Sequence, residues 1–122
     1  MSQFNLNPYI TRPANTDLST KQNYFVKLTS GKVALAAAGT DKILGVLNNY
    51  PSAANQAATV QIMGTAKVVA SGAISALAYV TSDSAGKAVA TTSSGDTVRG
   101  IALEAAAADG DIIEVLLTYF KY

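Results

Sequence analysis

Four of the chain's eight acidic residues fall between Glu104 and Glu114, in the stretch EAAAADGDIIE. Carboxylates at this density could hold a hard cation through oxygen ligands, or divide acid and base roles between a pair. The chain has no histidine, cysteine or tryptophan, so metal or acid–base chemistry would have to sit here. The spacing argues otherwise. An EF-hand loop needs oxygens at alternating positions, a central glycine and a closing glutamate, whereas four alanines precede Asp109-Gly110-Asp111. The stretch is expected to be a connection: the alanines form a helical turn, Asp109-Gly110 reverses the chain, and Asp111 begins the last strand. No catalytic residue, metal or cofactor is expected.

The remaining reactive side chains are hydroxyls and lysines. TSDSAGK (Thr81–Lys87) and TTSSGD (Thr91–Asp96) are rich in Ser and Thr, but a serine nucleophile lacks its commonest base here. Neither segment has the spacing of a phosphate loop, and both read as hairpin turns. GTDKILG (Gly39–Gly45) resembles the Asp-Lys turn of lipoyl carrier domains. The apolar Ile43 and Leu44 after Lys42 depart from that pattern, and a lysine in a solvated hairpin is the better reading.

These segments belong to a chain of 122 residues, most simply one domain with a single modest core. Apolar residues make up 49%, much of it alanine, and charged residues only 14%, against about 25% for a typical soluble domain. Such a surface suits packing against other subunits. Net charge is +1 and the lysines stand singly from Lys21 to Lys121, so the basic patch that nucleic acid requires is absent. No apolar run approaches the ~20 residues of a membrane span. The first twenty residues lack the features of a signal peptide, and a cytoplasmic product is expected.

Residues 1–22 carry Pro8 and Pro13 and no sustained period, which reads as an extended N-terminal arm ahead of a β domain at 23–122. Strands are expected at 24–28, 32–36, 43–47, 59–63, 66–70, 78–81, 88–91, 97–103 and 112–120. Many short strands with frequent turns make an all-β fold, a small barrel or sandwich. An echo at an offset of 55 residues pairs Gly31-Lys32 with Gly86-Lys87, Asp41 with Asp96, Gly45 with Gly100 and Val60 with Val115. It leaves two architectures open: a single unit, or two quasi-repeated β units packed together. Seven of nine aromatics lie in the first 25 or last four residues. Two readings, which can hold together, are that the two ends pair in the sheet and that Phe4, Tyr9, Ile10, Tyr119, Phe120 and Tyr122 anchor the chain on a partner.

VVASGAISALAYVTSDSAGKAVA followed by TVRGIALEAAAADGDIIEVLL resembles the capsid-cement, or head decoration, proteins of tailed bacteriophages. The resemblance covers roughly Val60 to Leu117; Leu77 departs from it, where the family often has glycine. It implies a small β-barrel-like protein on the outside of an assembled phage head. Such proteins bridge major capsid protein subunits, commonly as homotrimers. On that reading the protein is a virion component made in the host cytoplasm, with no catalytic role. The arm, Met1 to about Thr20, orders on binding, and deleting residues 1–20 is expected to leave a folded domain that attaches weakly. The alternative is a trimeric phage fibre or adhesin-type module that binds a host surface.

Overall fold

The computed structural model describes residues 8–122. They form ten strands: β1 (Tyr9–Pro13), β2 (Phe25–Thr29), β3 (Lys32–Leu35), β4 (Ile43–Leu47), β5 (Ala57–Gln61), β6 (Thr65–Val69), β7 (Tyr79–Ser82), β8 (Ala88–Ala90), β9 (Thr97–Ala102) and β10 (Ile112–Lys121). They make two five-stranded antiparallel sheets, ordered β1-β5-β4-β2-β3 and β6-β10-β9-β7-β8, in a sandwich-like all-β fold rather than one closed barrel. Alanines 105–108, expected in a helical turn, are not helical. Ala106 instead makes an antiparallel bridge to Ile74.

Each strand of the second sheet stands five strands on from its counterpart in the first, so the echo in the sequence is a repeat of topology. The loops repeat too. Leu18 N–H donates to Pro51 O as Ile74 N–H does to Ala106 O, and Ala14 N–H donates to Gln56 O as Ala70 N–H does to Asp111 O. One parallel bridge joins Ala14 to Val33 and another Ala70 to Ala88, curling each sheet around its own apolar face. Asn23 and Leu77 share a left-handed backbone, φ 71° and 68°. That conformation disfavours a branched apolar side chain, which is why glycine suits position 77.

Alternation along the strands sends one side chain inward and the next outward. In β10 this buries Ile113, Val115 and Leu117 and leaves Ile112, Glu114 and Leu116 outside. The first sheet encloses Ala14, Leu18, Val26, Val33, Leu47, Ala58 and Val60. The second encloses the equivalent positions, including Ile74, Val80, Ile113 and Val115, and its cluster also takes in Phe25, Ile43 and Val46 from the first. Burial of these residues supplies the main drive for the two sheets to pack.

The segment read as an arm lies partly outside the described residues. From Tyr9 it is strand: β1 pairs antiparallel with β5, Tyr9 opposite Gln61 and Pro13 opposite Ala57, and Ala14 and Leu18 are buried. Pro13 fits because β1 is an edge strand, where a missing N–H need not break a ladder.

Candidate functional site

The acidic stretch builds a turn. Asp111 accepts the Ala107 and Ala108 N–H groups at 2.8 and 3.1 Å, Gly110 takes φ 92°, and Asp109 pairs with Lys87 at 2.9 Å. Among the described residues no three acidic side chains converge on a point that could hold a metal ion. The first unit carries the neutral counterpart. There Gln56 accepts the Ser52 N–H through Oε1 at 2.8 Å, so an uncharged acceptor oxygen fills the equivalent place. Asp111→Asn is therefore expected to cost less than about 0.5 kcal/mol, and Asp111→Ala about 1–2 kcal/mol. Urea denaturation of both variants checks this.

The terminal aromatics fall into two groups. The β10–β9 register shifts between Leu117 and Phe120, and with side chains alternating beyond that bulge, Tyr119 faces away from Phe120 and Tyr122. Tyr119 joins Ile10, Leu28, Lys42, Ile43, Leu44, Ile62 and Arg99 around a mainly apolar groove of about 490 Å³. Phe120 and Tyr122 instead meet Tyr79 edge-on, with ring centroids 5.2 and 6.1 Å apart. Tyr9 is exposed on β1, and Phe4 lies outside the described residues. Among the described residues the two ends join different sheets, β1 the first and β10 the second, and Ile10 and Tyr119 both line the groove.

At the groove is a residue that the sequence reading passed over. Arg99, on β9, is almost fully buried. Its Nε donates to Ile43 O at 3.2 Å, its Nη2 to Leu44 O and Ile62 O at 2.9 and 2.7 Å, and its Nη1 to Thr118 O at 2.9 Å. The Tyr119 ring lies 5.6 Å from the guanidinium carbon. Burial pushes the guanidinium pKa down, and Tyr119 acts in the opposite direction; the group stays charged. Three of its four acceptors belong to the first sheet or the strand end beyond it, so Arg99 pins the sheets together. The signal was present in TVRGIA: one cation inside a β run whose neighbours are apolar or glycine.

The turn before β4 is held similarly. Asp41 accepts the Ala37 N–H at 2.8 Å and pairs with Lys27 at 3.2 Å. The Ala37 N–H holds its carboxyl below the usual pKa, against the opposing pull of burial and with help from Lys27.

An all-β chain with aromatic surface clusters and an apolar groove, whose buried polar side chains are occupied in holding the fold, has the makings of a structural binding module. The family model described as phage cement protein matches residues 11–117, from within β1 into β10. The chain belongs to that family, and is a phage structural protein associated with the head. Among solved structures it is similar to the head fiber gp8.5 N base of bacteriophage phi29. The TM-score is 0.68 and the identity 17%, over 93% of this chain and 96% of that one; at this identity the likeness is one of fold. No curated protein matches the sequence.

Proposed function

We propose that the protein is a decoration protein of the outer head surface that binds the assembled shell as a homotrimer and ties neighbouring major capsid protein subunits together. The observation that carries this reading is the family match, which runs across both repeats. A protein that binds only the assembled shell stabilises it by mass action, and symmetry multiplies each modest contact over many copies. The anchors would be Tyr9, Ile10, Tyr119, Phe120 and Tyr122, with Phe4 ahead of β1. The likeness to a head fiber base favours a second reading, a fibre or adhesin-type module whose partner is a host surface.

Co-sedimentation with expanded heads lacking the protein separates the two. Saturable binding at a fixed ratio to the major capsid protein, with raised heat resistance of the shell, is expected. Binding to host cells but not to heads would move the assignment to the fibre reading. Removing residues 1–20 would take away β1 and two buried side chains, so the deletion that tests the arm ends at Asn7. That variant is expected to melt like the parent and attach less tightly; unchanged attachment would remove Phe4 from the contact set.

A further inference from the structure

The repeat makes it possible to ask what each unit does with its outer face. On the first sheet that face carries Phe25 and Val46, directly opposite each other in register and almost completely buried in the cluster of the second unit. The turn between β7 and β8 docks beside them. Phe25 N–H donates to Gly86 O at 2.7 Å, and a Cβ on Gly86 would lie 3.0 Å from Phe25 O and 3.1 Å from Leu35. This is a joint between an apolar sheet face and a glycine turn.

The chain holds the two halves of a second such joint, both open. Tyr79 and Ile101 face each other in the register that Phe25 and Val46 occupy, and Leu116 continues the row. Tyr79, Leu116, Phe120 and Tyr122 are 41%, 41%, 38% and 44% exposed. An apolar row of this kind on a small domain marks an interaction surface. The counterpart of the docked turn is Ser30-Gly31, between β2 and β3. Gly31 has φ 77° against 81° at Gly86, and a Cβ there would meet nothing within 4 Å.

We propose that the outer face of the second sheet receives the Ser30-Gly31 turn of another copy of this chain, repeating between molecules the joint that links the two sheets within one. Face and turn are different surfaces, so the contact is head-to-tail and generates a ring or a filament rather than a two-fold dimer. Lys32, next to Gly31, brings a cation to a face bearing three aromatic rings, a favourable pairing. The joint between molecules is the weaker of the two. Inside the chain Val69 N–H donates to Asn23 O, and the position equivalent to Val69 is Pro13, which has no N–H to give. The inference does not rest on the head-attachment reading, from whose contact set it withdraws Phe120 and Tyr122, and is tested without capsids.

The chain has no cysteine, so Tyr79→Cys and Ser30→Cys each place a single thiol on one half of the joint. The two full-length variants, each shown to melt like the parent, are mixed under mild oxidation; Lys32→Cys replaces Ser30→Cys should the latter fold poorly. The mixture is expected to form a disulfide-linked dimer at least about tenfold faster than either variant alone, because docking raises the effective thiol concentration. The parent's sedimentation coefficient is expected to rise with concentration, and that of Leu116→Glu to stay at the monomer value. Three results would overturn the proposal: equal cross-linking in all mixtures, cross-linking of Tyr79→Cys with itself, or a parent that stays monomeric at every concentration. So would a Leu116→Glu variant that still self-associates, since the face would then not carry the contact.

Discussion

Gly45→Ala is expected to destabilise the protein by about 3 kcal/mol or more, at the upper end of overpacking costs, while its counterpart Gly100→Ala costs about 1–3 kcal/mol. The two glycines occupy the same place in the two repeats, but different atoms crowd them. A Cβ at Gly45 would lie 2.1 Å from the backbone oxygen of Gln61, whereas a Cβ at Gly100 would lie 2.2 Å from Val115 Cγ1. A carbonyl in the neighbouring strand moves only if β4 and β5 separate; a methyl group can be removed. Val115→Ala should therefore recover part of the loss in Gly100→Ala, with a coupling of about 1 kcal/mol or more in a double-mutant cycle. Val60→Ala should recover little in Gly45→Ala, since Val60 Cγ1 lies at 3.1 Å and is not the principal obstacle. Denaturant unfolding of the six variants decides it. Equal rescue at both sites would mean that the side chains, not the Gln61 carbonyl, set the limit.

Arg99→Met carries the other large effect, an expected loss of about 3–5 kcal/mol. Methionine keeps the apolar stem but leaves the Ile43, Leu44, Ile62 and Thr118 carbonyls without their side-chain donor. An acceptor stranded in a buried site costs about 1–3 kcal/mol. Contacts within one network are not additive, which keeps the sum below the simple total. Arg99→Lys is expected to recover less than half of the loss, because one ammonium cannot span carbonyls that a planar fork reaches in several directions. Denaturant midpoints at unchanged slope would measure both variants. Full rescue by lysine would show that charge, not the fork, matters here.

Much of the fold is legible in the sequence. Nine strands follow from short β-rich runs between Gly, Ser, Asp and Asn, and each lies within two residues of its expected place because turn residues punctuate this chain so regularly. β1 was not legible, since Pro8 and Pro13 argue locally against a strand and only the free edge of β5 makes room for one. The aromatic ends were visible as a cluster in sequence. Their division into a groove residue, Tyr119, and a face around Tyr79 depends on a bulge that no spacing announces. Nothing in the sequence singles out Tyr79, which stands alone in the middle of the chain.

The class of structure, a connection after Glu104, the family resemblance and the 55-residue echo are all legible locally, because each is written in neighbouring residues or fixed offsets. That the echo is two sheets of one topology, packed outer face to turn, was settled by the fold. It also decided that Arg99 clasps both sheets and that one face and one turn remain open. Local sequence specifies turns and alternation, whereas which surface is covered depends on contacts between residues some fifty positions apart.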